Sequence, residues 1–238
     1  MKLTILGNNG PYPAPGGACS GYLLESDSGD TTIMIDCGPG ALANLMAAGA
    51  LNRLDAVVLS HLHFDHMSDL LPMQYAIQFH PRQHPLPVYA PATPEPVRAL
   101  LEDANCYDLW PCGDVTVGEM RISFNPARHP VETNAIAVCC DGRRFVFTGD
   151  SNTDPLMELF CEGADLLLAD AGLSSDDWKP AAPHYSAALC GALAKNTHAR
   201  RLLLTHFNPK YDPQALLDEA RAVYPGAELA QIGAIHYI

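Results

Sequence analysis

The chain has 238 residues, 48% hydrophobic and 17% charged, a balance that excludes a disordered polymer and allows roughly 70% of the unfolded surface to be buried. A net charge of −13 argues against broad, non-specific affinity for nucleic acid or anionic membrane surfaces. The eight cysteines lack the spacing of a zinc ribbon or disulfide scaffold, and no run has the length of a signal peptide or membrane span, so a single cytoplasmic domain over 1–238 with small buried thiols is expected.

Alternating and continuous apolar runs predict strands at "KLTILG", "GYLLES" and "TTIMID", separated by Gly/Pro/Ser-rich turns. A short helix, "ALANLMAAG", ends at Gly49. Strand "LDAVVLS" precedes helix "SDLLPMQYAIQF". Strand "LPVYA" precedes helix "PEPVRALLEDA", which carries proline in its first turn. "DVTVGEMRISF" reads as a hairpin around Gly118. "AIAVCC" and "RRFVFTG" flank Asp141-Gly142, a strong hairpin signal. Helix "DPLMELFCEG", strand "DLLLAD", helix "SAALCGALAKNT", strand "RRLLLTH", helix "PQALLDEARAVY" and a last strand near "AIHYI" complete the chain.

Polar clusters recur where strands stop: "SHLHFDH" after "DAVVL", "GDS" after "FVFT", "ADAG" after "DLLL" and "THFNPKY" after "RLLL". One edge of the sheets is therefore expected to gather the chemistry. In "HLHFDH", three histidines and an aspartate fall within six residues, His61 to His66. Imidazole and carboxylate are ligands for zinc and similar divalent ions. In an extended or tightly turned loop His61 and His63 can grip one ion, while Asp65 and His66 reach a second. Further along, His129, Asp150 and His206 flank or follow strands. Singly, each histidine could be a hydrogen-bonded core residue and Asp150 a helix N-cap. Together they bring the number of ligands to the seven that two adjacent ions need when one carboxylate bridges them.

This pattern, "HLHFDH" with downstream "RH", "GD" and "TH" and upstream "MIDCGPG", resembles the metallo-β-lactamase superfamily over almost the whole chain. The resemblance implies an α/β fold, a four-layer αββα sandwich with the metals at one edge of the two sheets. It places His61, His63 and His129 on the first ion, Asp65, His66 and His206 on the second, and Asp150 between them. Asp36 takes the position of the aspartate that supports the ligand loop from behind. Within the superfamily, "PHYSAALCGALAKNTHARRLLLTHFNPKY" and the N-terminal "MKLTILGNNGPYPAPGGACSGYLL" resemble the ribonuclease Z-like branch. His184 takes the position of that branch's C-terminal histidine, and Asp170 that of the acidic residue orienting it, usually a glutamate. The long basic arm of transfer-RNA-processing members has no counterpart, since only twenty residues separate His129 from Asp150.

The expected activity is therefore that of a dinuclear metal-dependent hydrolase, a phosphodiesterase for a small phosphodiester or nucleotide. Zinc is the first choice of metal, with manganese and iron as alternatives. Two dications lower the pKa of a shared water from about 15.7 toward about 7. The hydroxide, held near Asp65, attacks phosphorus, and the leaving alkoxide needs a proton. His184, with Asp170 fixing its tautomer, is the candidate donor. Lys210 and Tyr211 are candidates for phosphate contact, with a solvated turn as the plainer alternative. His80, His84, His198 and His236 match no ligand pattern. The expected partner is a small-molecule substrate, with a homodimer left open. A lactone, thioester or other carbonyl substrate is the alternative on the same site. Histidine at position 63, where redox di-iron relatives usually carry an acid, argues against that chemistry, and the intact ligand set argues against a metal-free binding module.

Overall fold

The computed structural model describes residues 1–238. The chain forms two mixed sheets of seven strands each. The first contains β1 (Lys2–Gly7), β2 (Gly21–Glu25), β3 (Thr32–Cys37), β4 (Ala56–Val58), β5 (Leu86–Ala90), β6 (Tyr107–Pro111) and β14 (Ile235–Tyr237), in the order β14-β1-β2-β3-β4-β5-β6. The second contains β7 (Val115–Val117), β8 (Met120–Pro126), β9 (Asn134–Cys140), β10 (Arg143–Phe147), β11 (Leu166–Asp170), β12 (Leu202–Thr205) and β13 (Ala227–Leu229), in the order β13-β12-β11-β10-β9-β8-β7. Each sheet joins an antiparallel meander to a parallel run: β3 to β6 in the first, β10 to β13 in the second.

The alternation of side chains along each strand explains the layers. Ile33 and Ile35 of β3 point between the sheets, where they join Ile136, Val138, Phe145, Phe147 and Leu203 from the second sheet. Met34, between them, points outward to a core shared with α1 (Ala41–Ala47), α3 (Leu70–Phe79) and α4 (Glu95–Glu102), through Leu45, Met73 and Leu101. In β12, Leu203 faces inward while Leu202 and Leu204 pack on α5 (Pro155–Cys161), α6 (Ala187–Asn196) and α7 (Pro213–Arg221). Both faces of each sheet are thus covered, which is why the central strands read as unbroken apolar runs. The result is helix, sheet, sheet, helix: the αββα sandwich.

Two edge strands were not legible in the sequence. β6 is mostly exposed beyond Tyr107, so it lacks an apolar alternation, and β13 has three residues. The ligand motif combines the two expected shapes, extended and tightly turned. His63 is extended, and Phe64–Met67 closes into a single helical turn, α2. No helix of the chain is long and apolar enough to cross a membrane.

Candidate metal centre

Parallel strands deliver their C-terminal ends to one edge. His61 follows β4, Asp150 follows β10, Asp170 ends β11, and His206 follows β12. His61, His66, Asp150, Asp170 and His206 are almost fully buried, and His63, His129 and His184 are partly exposed on the open side. Asp154, not Asp150, caps α5, accepting from Leu156 N, so Asp150 is free for the cluster.

Two groups of ligand-capable atoms lie side by side. His61, His63, His129 and Asp150 form one, and Asp65, His66, Asp150 and His206 the other; within each, one donor atom per residue lies within 4.8 Å of all the rest. Asp150 belongs to both, and with Asp170, His184 and His206 it forms a third, overlapping group. In the first group His63 Nδ1 stands 3.0 Å from His61 Nε2 and 3.2 Å from His129 Nε2, and Asp150 Oδ2 stands 3.7 Å from His61 Nε2. In the second, His206 Nε2 lies 3.1 Å from Asp65 Oδ2 and 3.3 Å from Asp150 Oδ2. His66 Nε2 is 3.5 Å from Asp65 Oδ2 and 3.3 Å from Asp150 Oδ1.

The outward-facing ring nitrogens explain why the inward ones offer lone pairs. His129 Nδ1 donates to Pro183 O at 3.1 Å, and His66 Nδ1 to Asp36 Oδ2 at 2.7 Å. His61 Nδ1 donates to Ser60 Oγ at 3.0 Å, and that hydroxyl donates to Asp36 Oδ2 at 2.8 Å. His206 Nδ1 faces Asp170 Oδ1 at 3.3 Å. An imidazole whose far N–H is engaged by a carboxylate, hydroxyl or carbonyl has its tautomer fixed for metal ligation. Asp36 accepts from Ser60 N as well, at 2.7 Å, and so supports one histidine of each group. It does so from a left-handed backbone (φ 54°), and His206 is also left-handed (φ 59°). Such conformations are uncommon outside glycine and persist where surrounding contacts enforce them.

The electrostatics ask for a cation. Burial, reinforced by the charge of His66, holds His61 well below the ordinary imidazole range, and burial lowers His63 and His129 too. In the second group burial opposes protonation, but carboxylates outweigh it. Asp150, Asp36 and Asp65 together hold His66 well above its ordinary range, and Asp150 with Asp170 pushes His206 up to about 10. The surrounding carboxylates thus favour positive charge at this end of the cluster. His66 Nε2 and Asp150 Oδ1 are buried without hydrogen-bond partners, facing each other at 3.3 Å. Buried polar atoms seldom go unpaired without a reason. Converging imidazole lone pairs, carboxylates shared between two groups and orphaned atoms at their meeting point fit divalent metal ions.

The pair that lies beside this cluster is His184 and Asp170. His184 Nδ1 is 2.9 Å from Asp170 Oδ2 and 3.8 Å from Asp150 Oδ2. Burial opposes its protonation, but the Asp170 carboxylate, then Asp150, raises its pKa. Lys210 and Tyr211 lie in the loop after His206, where Asp177 accepts from both, so the lysine charge is already paired. His80, His84 and His198 are exposed, and His236 accepts from Arg201 at the far sheet edge. A cleft of about 520 Å³ near Gln74, Arg82, His84 and Cys106 lies at the entry to β5, the opposite end of the sheet from the cluster, and holds none of the clustered ligand residues.

Residues 31–207 match the family described as Beta-lactamase superfamily domain. The chain belongs to this superfamily. A probable metallo-hydrolase of Bacillus subtilis, YhfI, is 34% identical over 233 residues, covering 95% of each chain. The crystal structure of YhfI matches with a TM-score of 0.91 at 32% identity over 99% of both chains. At lower identity the β-lactamase superfamily fold is shared with the short form of human tRNase Z (TM-score 0.81, 20% identical, 100% of this chain and 99% of that one) and with a diphosphatase of the PhnP family (TM-score 0.74, 17% identical, 100% and 97%). The superfamily member described here is accordingly a metallo-hydrolase with clustered His and Asp side chains at the fold's open edge.

Ser60, Gly10 and Asn152 were not singled out by the sequence. Ser60 adjoins the motif and carries no pattern of its own. The Gly10 backbone rests against the His206 ring, where a Cβ would lie 1.9 Å from Nε2. Asn152 contacts a segment thirty residues away.

Proposed function

We propose that the protein is a phosphodiesterase acting on a small phosphodiester with two divalent ions, zinc by the chemistry of its nitrogen and oxygen ligands. His61, His63 and His129 would hold one and Asp65, His66 and His206 the other, with Asp150 within reach of both groups. When bound, such ions activate a water at neutral pH and neutralise the phosphoryl oxygens. The protein's own residues supply the rest. Asp65 accepts a hydrogen bond at the cluster and orients the attacking water. His184, held by Asp170 at Nδ1, presents Nε2 to the leaving oxygen and gives it a proton.

The His184–Asp170 pair beside the seven-residue cluster is the observation that carries this reading. A buried carboxylate on one ring nitrogen raises the ring's pKa and leaves the other nitrogen to carry a transferable proton. An alkoxide leaving group needs that proton, whereas the thiolate of a thioester can leave without it. The shared fold of a tRNase Z and a diphosphatase is in keeping with a phosphoryl substrate. Transfer RNA suits the site poorly: the chain is strongly acidic, and β9 and β10 are joined by the two-residue turn Asp141-Gly142, leaving no arm between His129 and Asp150.

The test is a series of diesters of rising leaving-group pKa. His184→Ala should keep its metals and lose about 10²–10⁴ in kcat/KM for nucleoside or alkyl leaving groups, and far less for nitrophenolate. Asp170→Asn should follow the same trend more weakly. A loss equal across the series would remove His184 as the proton donor. Strong lactonase or thioesterase activity without diesterase activity would overturn the substrate class.

A further inference from the structure

The strap from Leu173 to Tyr185 carries His184 but has almost no regular secondary structure: one bridge pairs Leu173 with Ser186, and Tyr185 O accepts from Leu173 N at 3.2 Å. A segment of this kind would leave an imidazole free to wander, so something must hold its middle. The holder is Asn152, whose side chain is fully buried. Asn152 Nδ2 donates to Ala182 O at 2.7 Å, and Pro180 O and Lys179 O stand at 3.3 and 3.4 Å. Its Oδ1 accepts from Trp178 Nε1 at 3.0 Å and from Thr153 N at 2.7 Å. One amide thus grips the strap at four residues, the last of them two positions before His184.

Asn152 also closes a tripeptide with a consistent geometry. Asp150 is the carboxylate common to both ligand groups. Ser151 N donates at 3.1 Å to Asp170 Oδ2, the same oxygen that holds His184 Nδ1. Asn152 fixes the strap from the other side. Three consecutive residues therefore set the shared carboxylate, the partner of the acid, and the backbone that carries the acid. Other ties hold the strap at its ends or from the surface: His129 Nδ1 donates to Pro183 O at 3.1 Å, Asp177 accepts from Lys210 and Tyr211, and the exposed Arg128 guanidinium donates to Pro180 O at 2.9 Å.

We infer that Asn152 is the positioning residue that sets His184 against the metal centre, its amide fixing the strap so that the imidazole meets the leaving oxygen. The inference rests on the proposed role of His184 as proton donor. A misplacement of about 1 Å costs up to about 10²-fold in rate, even when it originates away from the chemistry.

The experiment compares Asn152→Ala and the near-isosteric Asn152→Asp, which removes the donor to the strap carbonyls while keeping the acceptor for Trp178. The probes are nitrophenyl and alkyl phosphodiesters, with bound metal counted by elemental analysis. Both variants should retain full metal content. Both should lose about 10-fold to 10²-fold in kcat on the alkyl diester, with KM little changed and the nitrophenyl diester nearly unaffected. In a His184→Ala background, Asn152→Asp should add no further loss, because the residue it positions is gone. A loss equal for both substrates, or one that persists undiminished without His184, would overturn the inference and make Asn152 a support of the fold or of the metals. The two readings fail separately. If His184→Ala itself shows no leaving-group dependence, the proton-donor reading falls. If His184→Ala shows it and the Asn152 variants do not, only the positioning role falls.

Discussion

A single carboxylate, Asp36, engages Ser60 N, Ser60 Oγ and His66 Nδ1, and through Ser60 it reaches His61. Removing it leaves three buried donors unpaired and two histidines unsupported. Asp36→Ala should weaken metal affinity about 10- to 100-fold and destabilise the fold by about 1–3 kcal/mol. Asp36→Asn, which tolerates the left-handed backbone, should lose metal affinity with less destabilisation. Chelator competition and thermal melts separate the two effects. The same residues dictate a pH dependence. The carboxylates around them hold His66 well above its ordinary range and push His206 up to about 10, which favours protons on both rings when no metal is bound. An ion must displace those protons. Metal affinity should therefore rise with pH, by about tenfold per pH unit for each proton released, and fall as the solution is acidified. Titration of metal into weakly buffered apoprotein reads the protons directly. Binding without proton release near neutrality would mean that the carboxylates do not hold these rings charged.

Among the elements, α2 is a single turn, yet it changes the direction of the chain between His63 and Asp65 so that the motif serves two groups of ligands. The loop after β1 matters as much. Gly10 N donates to Phe207 O at 3.2 Å, and the glycine lies against the His206 ring. Gly10→Ala would put a methyl where the ring now stands, and the ring is the mobile partner. The expected outcome is reduced metal content with the fold retained, measured by elemental analysis beside circular dichroism. Unchanged metal content would mean that the loop yields instead. At the opposite edge, the Asp141-Gly142 turn has positive φ at both residues, 54° and 72°, as a two-residue hairpin of right-handed strands requires.

For the molecule as a whole, the two sheets converge on a site where buried carboxylates face clustered imidazoles and favour positive charge. Bound metal should therefore stabilise the folded chain. With free metal at about 100 times its dissociation constant the gain is about 2.7 kcal/mol per site, which for a chain of this size corresponds to roughly 2–4 °C in Tm per kcal/mol. Thermal melts in chelator and in graded metal should show a concentration-dependent rise. A Tm indifferent to metal would contradict the candidate centre.

The sequence by itself determined most of the elements and the candidate ligands, because both are written locally. Unbroken apolar runs mark strands covered on both faces, and "HLHFDH", "RH", "GD" and "TH" stand where those runs stop. It did not determine β6 or β13, since an exposed edge and a three-residue strand leave no periodicity to read. Nor could it say which ring nitrogen faces inward, or that Ser60 joins His61 to Asp36. Those facts depend on contacts between residues far apart in the chain: His206 meets Asp65 across 141 positions, and His129 meets Pro183 across 54. Asn152 is the clearest case. In one dimension it is a polar residue after "GDS", and only the folding of a strap thirty residues later turns its amide into the grip on His184's backbone. A lone asparagine has no spacing, so its part was decided by the tertiary structure.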